Sequence, residues 1–460
     1  MHTNRLRSPE PDRLERRVGL TAAISLNMMN MIGVGPFITL PLVVVAMGGS
    51  QALLGWVLGA LIALADGLVW AELGAAMPEA GGSYAFLREI YGRDWLGRLV
   101  SFLYIWQLGF SAPLSIASGC IGFAEYAVYL YPPLKDTVPG MPWLHYTSLL
   151  AAGTCLALVA VLFRNVEQVK RVGLVLWAGV MLTIGAVIVG GFTHFHAALL
   201  APPKGAWHLT PGFWLGLGAA TLITTYDYWG YYNVCFLGSE VKEPGKTIPR
   251  AVLFSIVIVA FLYLAMNVSV LGVIPADKLT TTAAAQVIRI AFGPVAGELM
   301  AVFIMWTALS SVFALLLGYS RAPYAAALDG NYFKAFGHVH EKHKFPDVSL
   351  LAMGAVSAAC CFLRLAEAIA ALVVIRVVLQ YVLQQVGVMV LRVKRPEMRR
   401  PFRMWLFPLP PLAALAGFVF ILISRPDAAK EFGFAVLVGV TGAALYFLRA
   451  RKRREWPFAG

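Results

Sequence analysis

Three charged side chains, Asp66, Asp227 and Arg376, sit inside stretches of sequence that are otherwise apolar. A charge in a lipid-crossing segment is expensive, so such a group marks a substrate or ion pathway by default. Asp227 can bind an ammonium group directly, or pair with Arg376 as a gate. Arg376 can receive a carboxylate through two parallel hydrogen bonds, or stand in an ion pair with Asp227 or Glu367. Asp66 is a candidate carrier of a coupling proton; the plainer alternative is a hydrogen-bonded contact between helices. Asp227 lies within Thr225-Tyr226-Asp227-Tyr228-Trp229-Gly230-Tyr231-Tyr232-Asn233, a polar, aromatic segment punctuated by glycine. Its rings suit an ammonium or guanidinium ligand, although Tyr and Trp also anchor helices at membrane interfaces. A second irregular segment is Gly33-Val34-Gly35-Pro36. Helical hydrogen bonding does not easily cross it, because glycine weakens the helix and proline lacks an N–H. An interrupted helix leaves N–H groups at the positive end of one half and C=O groups at the negative end of the other. Together these can hold both ends of a zwitterion.

The elements that position these groups follow from composition. Of 460 residues, 59% are hydrophobic and 13% charged, and mean hydropathy is +0.72. A chain this apolar cannot hide its surface in one water-soluble core. Its apolar runs are about 20 residues long and do not alternate, which selects membrane-spanning helices over a β-barrel. We place twelve spans at 18–46, 52–76, 98–129, 146–163, 169–190, 212–238, 249–273, 295–328, 348–363, 367–391, 405–424 and 432–449. The expected fold is all-α. The net charge of +13 sits in the tails and in alternate loops (77–98, 164–171, 239–250, 320–347 and 392–403). That pattern speaks for membrane topology with both termini cytoplasmic, and against nucleic-acid binding. The N-terminus, with Arg5, Arg7, Arg13, Arg16 and Arg17, runs straight into the first span and has no removable signal peptide pattern. The two irregular segments fall in spans one and six. That spacing divides the chain into a cytoplasmic tail (1–17), a first five-helix repeat (18–190) and a second, inverted repeat (212–391). Two extra helices (405–449) and a cytoplasmic tail (450–460) complete it.

Other chemistry is sparse. Cys120, Cys155, Cys235, Cys360 and Cys361 all lie in apolar runs and read as buried free thiols. His338, His340 and His343 sit in a basic loop without a cysteine partner, so no metal is expected. No phosphate-binding loop, nucleophile elbow or zinc motif is present, and no cofactor is expected. A membrane enzyme would need a cluster of His, Glu or Asp at one face, which the sequence does not show. A non-transporting membrane sensor would be expected to carry an added soluble domain.

Four motifs, in order, carry a family resemblance over nearly the whole chain: Ile32-Gly33-Val34-Gly35-Pro36-Phe37; Ala71-Glu72-Leu73-Gly74 with Pro78-Glu79-Ala80-Gly81-Gly82-Ser83-Tyr84; Glu240-Val241-Lys242-Glu243-Pro244-Gly245-Lys246-Thr247-Ile248-Pro249-Arg250-Ala251; and Ser320-Arg321-Ala322-Pro323-Tyr324 with Asp329-Gly330. The chain resembles the amino acid–polyamine–organocation transporter superfamily, in its amino acid permease or polyamine-uptake-like branch. The resemblance implies a broken-helix fold, alternating access and a substrate held between spans one, three, six, eight and ten. It implies that Val34 and Gly35 take a carboxylate, that the backbone from Tyr226 to Gly230 takes an amine, and that Tyr226 is an aromatic lid. Tyr104 and Gln107 of span three can reach such a site. Pro36 removes one N–H that amino-acid transporters use there, and Gly-Pro-Phe looks more like polyamine uptake. Ser310 and Ser311 are candidate sodium ligands. Gly179 stands where many relatives have a lysine. Glu72 and Glu240 read as gate or loop-network residues. The expected function is a secondary transporter of amino acids or related amines in the inner membrane, proton-coupled or exchanging. A polyamine or cationic-amine importer is the alternative. The expected partners are a small-molecule substrate, a proton and the lipid bilayer.

Overall fold

The computed structural model describes residues 14–164, 166–363, 372–425 and 428–458. Most of the expected N-terminal tail, the start of the expected tenth span with Glu367, and the last two residues lie outside the described residues. The chain is helical almost throughout, apart from a short hairpin of Thr137–Val138 with Met141–His145. Seven helices are long and apolar enough to cross a membrane; the bent pair Leu20–Met31 and Gly35–Met47 makes one more span. The broken sixth span, together with the shorter helices Tyr146–Leu162, Asp347–Cys360 and Leu409–Ile423, brings the described spans to the expected twelve.

The first span breaks where the sequence says it must. Leu20–Met31 ends as Ile32 leaves helical geometry, and Gly35–Met47 restarts with Pro36 in its first turn, where a missing N–H costs nothing. The two halves meet at 45°. The sixth span starts at Pro211 behind Thr210, whose hydroxyl accepts the Phe213 N–H at 3.3 Å. It runs to Tyr228, turns extended at Trp229, and resumes only as Asn233–Phe236. Gly230 makes that turn possible. Its φ is +127°, and a Cβ there would lie 2.8 Å from the backbone of Asn30 and Met31.

The two breaks therefore touch. The Leu20–Met31 half packs against Asn233–Phe236, and the Gly35–Met47 half packs against Pro211–Tyr228. The two broken spans therefore run antiparallel, the first half of each packed on the second half of the other. Asn27 and Tyr263 tie the two together, and Asn233 ties the second to span eight. Asn27 accepts the Val234 N–H at 2.9 Å, and Asn233 donates to the Ala314 carbonyl at 2.9 Å. The Tyr263 hydroxyl lies 2.7 Å from the Met31 carbonyl and 3.3 Å from that of Asp227. Large apolar side chains such as Val45, Phe261 and Val393 face outward, as lipid contact requires.

Both described ends of the chain lie at one end of the bundle. The Arg17 N–H donates to the Glu240 carbonyl at 2.8 Å, and Arg98 pairs with Glu455 at 2.8 Å. Three features differ from the sequence reading. A helix Ala283–Phe292 occupies the segment between spans seven and eight. The helix of span eight is interrupted for one residue at Ser320. Span ten widens into a π-helix, Val377–Val382, directly after Arg376.

Candidate functional site

Between the two breaks lies a cavity of about 610 Å³. The first break supplies Gly33, Val34, Gly35 and Pro36 to its wall, and the sixth span supplies Tyr226, Asp227 and Trp229. Span three adds Ser115, Ser118, Gly119 and Gly122; span eight adds Ser311, Leu315 and Tyr319; span ten adds Arg376. The cavity continues past Glu125, Lys135 and Thr281 towards the face opposite the chain ends.

Among the described residues, ion-pair networks occupy the other face. There Glu240 and Arg321 form a buried pair, 2.9 Å apart, with side chains 2% and 3% exposed. Glu72 accepts from Arg392 at 2.9 Å, approaches Arg400 at 3.4 Å and caps the Met404 N–H at 2.8 Å. Arg88 joins Glu79 at 2.6 Å and also binds Asp329. Glu72 and Glu240 thus sit in ion-pair networks, and neither lines the cavity.

At the first break, the Gly33 N–H is held by the Met31 carbonyl at 3.1 Å, and Phe37 N–H by Val34 at 3.1 Å. Among the described residues, the N–H groups of Val34 and Gly35 have no hydrogen-bond partner. They form the positive end of the Gly35–Met47 helix and point an anion site at the cavity. Asp227 lies against this end: a Cβ on Gly35 would be 2.5 Å from its Oδ1. Its Oδ2 accepts the Thr39 hydroxyl at 2.6 Å. At the second break, Trp229 N–H is shared between the carbonyls of Thr225 and Tyr226, both at 3.1 Å.

The expected Asp227–Arg376 ion pair is not formed. Asp227 is engaged by Thr39, and Arg376 by three neutral groups. Arg376 Nη2 donates to the hydroxyls of Tyr232 (2.7 Å) and Tyr319 (2.5 Å), and its Nε donates to Gln380 Oε1 at 3.2 Å. The guanidinium lies 5.2 Å from the Trp229 ring centre. Both Nη2 hydrogens and the Nε hydrogen are thus engaged within the protein, and Nη1 makes no hydrogen bond among the described residues.

Several other candidates are placed elsewhere. Tyr228 turns away from the cavity and packs on Trp56 and Tyr263, at ring separations of 6.1 and 5.2 Å. Gly230 serves the turn and is not on the wall. Tyr104 and Gln107 are fully buried behind it, Gln107 accepting from Ser111 at 2.9 Å. Asp66 is completely buried, and it too is off the wall. It accepts the Tyr231 hydroxyl at 2.5 Å and is bound by Gln385, so it ties spans two, six and ten together. Ser311 stands beside Gly33, whereas Ser310 donates to the Leu176 and Trp306 carbonyls. The Trp306 indole fills the space that a side chain at Gly179 would need, and its N–H donates to Leu176 O at 3.0 Å. All five cysteines are free. His338 binds Asp347, and among the described residues no group of three ligands could hold a metal.

Sequence reasoning missed Thr39, Tyr319 and the span-three face. The last had a signal: Ser115, Ser118, Gly119 and Gly122 repeat at i, i+3, i+4 and i+7, a stripe of small residues on one helical face.

A family model described as amino acid permease matches residues 19–443. The chain is similar to the serine/threonine exchanger SteT of Bacillus subtilis (strain 168), with 26% identity across 98% of this chain and 100% of that protein. It is similar to Asc-type amino acid transporter 1 of Mus musculus, with 28% identity across 95% and 81%. It is also similar to the uncharacterized transporter Rv1999c of Mycobacterium tuberculosis (strain ATCC 25618 / H37Rv), with 28% identity across 97% and 94%. The family match runs through both breaks, the cavity wall and the networks of Glu72 and Glu240, and the chain belongs to the amino acid permease family: it is a multi-pass membrane transporter, not an enzyme.

Proposed function

We propose that this protein carries amino acids across the inner membrane by alternating access, with the substrate held in the cavity between the two breaks. One observation carries the reading: N–H groups without a partner among the described residues (Val34, Gly35), a buried carboxylate (Asp227) and a buried guanidinium (Arg376) surround one cavity that opens towards the face opposite the chain ends. An ammonium group belongs beside Asp227, and a carboxylate at the Val34–Gly35 end of the helix. Pro36 removes one donor but leaves these two. The Lys- and Arg-rich loops put both termini in the cytoplasm, so the cavity opens outward and the networks of Glu72, Glu240 and Arg88 close the inner side. The antiparallel packing of the two breaks supports inverted repeats at 18–190 and 212–391, with 405–449 as added helices. The names of the two characterised relatives support amino acids as cargo, and SteT's name supports exchange. Asp66, remote from the cavity but bonded to Tyr231 of the second break, is the candidate for proton coupling. The polyamine alternative is weakened by Arg376, since a polycation would lie against an unpaired guanidinium.

The test is uptake of labelled amino acids by reconstituted protein preloaded with unlabelled amino acid. Wild type is expected to accumulate label, and Gly35→Leu, which fills the break, is expected to abolish it. No uptake by folded wild type, or full activity of Gly35→Leu, would overturn the reading.

A further inference from the structure

The inner end of the cavity carries an anion receptor that an ordinary zwitterion leaves unused. Arg376 is 4% exposed, and among the described residues no carboxylate lies within ion-pair distance of it. Its Nη1 makes no hydrogen bond, and the residue lines the cavity. A buried charge without a countercharge is strongly unfavourable unless something completes it. Other donors on the wall also lack partners: the Trp229 indole N–H, the Asn30 side-chain N–H₂, and the Val34 and Gly35 N–H groups. Asp227 is the carboxylate deep in this wall, and one of its oxygens is already held by Thr39. Among the described residues, the part of the wall between the breaks and Arg376 thus holds several donors without partners, and a ligand there is favoured if it brings acceptors.

Position separates the two anion sites. Val34 and Gly35 lie at the start of the outer half-helix, with Asp227 against Gly35 and Thr39 one turn outward. Arg376 is tied to Tyr232, below the second break, and to Tyr319, at the inner end of the span-eight helix. We infer that the site is built for dicarboxylic amino acids: the α-carboxylate at Val34 and Gly35, the α-ammonium at Asp227, and the side-chain carboxylate on Arg376 Nη1. This rests on the cavity being the amino-acid site proposed above. Buried donors left unmatched by a ligand penalise it heavily, so neutral amino acids bind more weakly and polyamines, which bring donors only, are excluded.

The experiment is competition against labelled glutamate and labelled alanine in proteoliposomes, with unlabelled aspartate, glutamate, alanine, serine and putrescine. Aspartate and glutamate are expected to compete at concentrations about tenfold or more below alanine and serine, the scale of one charge-assisted hydrogen bond. Arg376→Gln is expected to reduce the acidic-to-neutral selectivity by about tenfold or more, with part of it restored in Arg376→Lys. Transport of alanine without competition by glutamate would overturn this inference and leave the amino-acid reading standing. So would a parallel loss of both classes in Arg376→Gln, which would put the α-carboxylate on Arg376. Competition by putrescine equal to glutamate would overturn it too. No amino acid handled at all would instead overturn the transport reading beneath it. The wild-type panel decides even if the Arg376 variants fail to fold.

Discussion

Replacing Gly35 by alanine puts a methyl group where the Asp227 carboxylate now sits. The new Cβ would be 2.5 Å from Oδ1 and 3.6 Å from the carboxylate carbon. A carbon–oxygen contact relaxes at about 3.3 Å or more, so Asp227 has to retreat by about 0.8 Å. Its bond from Thr39, now 2.6 Å, then lies at or beyond the limit of a useful hydrogen bond. Losing one hydrogen bond to a charged group costs about 1.5–3 kcal/mol, equivalent to about 10- to 150-fold in affinity. The assay is KM for labelled amino acid in proteoliposomes together with Tm of the purified protein. Thr39→Val removes the same bond directly. Its effect and that of Gly35→Ala should therefore fall well short of additive in the double variant. Gly109→Ala is the control, because a Cβ there meets nothing within 4 Å; it should stay within about 0.5 kcal/mol of wild type. Wild-type KM and Tm in Gly35→Ala would refute the contact on which the site geometry depends.

Breaking the inner closure should be as visible. Glu240→Ala leaves Arg321 buried and unpaired, at a cost of about 3–5 kcal/mol, read as a drop in Tm and as greater thiol accessibility of cysteines introduced at the terminal end of the bundle. Asp66→Asn keeps a hydrogen-bonding group between Tyr231 and Gln385 but cannot take up and release a proton. It should flatten the pH profile of uptake, and an unchanged profile would exclude Asp66 as the coupling group. Asp227→Asn should raise KM for substrates with a free α-ammonium by about tenfold or more, and an unchanged KM would remove Asp227 from amine recognition.

Much of this architecture is written in local sequence. Gly33-Val34-Gly35-Pro36 cannot continue a helix, and the structure bends there by 45°. The second break was legible as a segment but not residue by residue. Tyr226, Asp227 and Trp229 face the cavity, whereas Tyr228 and Gly230 serve packing and the turn. That division depends on where Trp229 turns extended, which composition does not encode. Tyr104 and Gln107 were expected near the substrate because span three passes it. They share a helical face with Ser115 and Ser118 but lie about two to three turns nearer the chain ends, so the breaks in spans one and six are reached only higher along the helix. Arg376 was visible as a buried charge, but its partners were not. The π-helix that follows it and the tyrosines at 232 and 319 come from segments distant in sequence. The asymmetry between an open and a closed face is a property of assembled loops, and no single motif carries it.

The central claim is that substrate occupies the cavity between the breaks. Ser118 lines that cavity and is half-buried, while none of the five native cysteines lies on its wall. The most direct measurement is the rate at which a membrane-impermeant thiol reagent modifies Ser118→Cys in a cysteine-free background, with and without saturating amino acid. The account predicts modification from the face opposite the termini and slowing of several-fold by a transported amino acid. A rate unchanged by substrate, or modification from the terminal face alone, would contradict it.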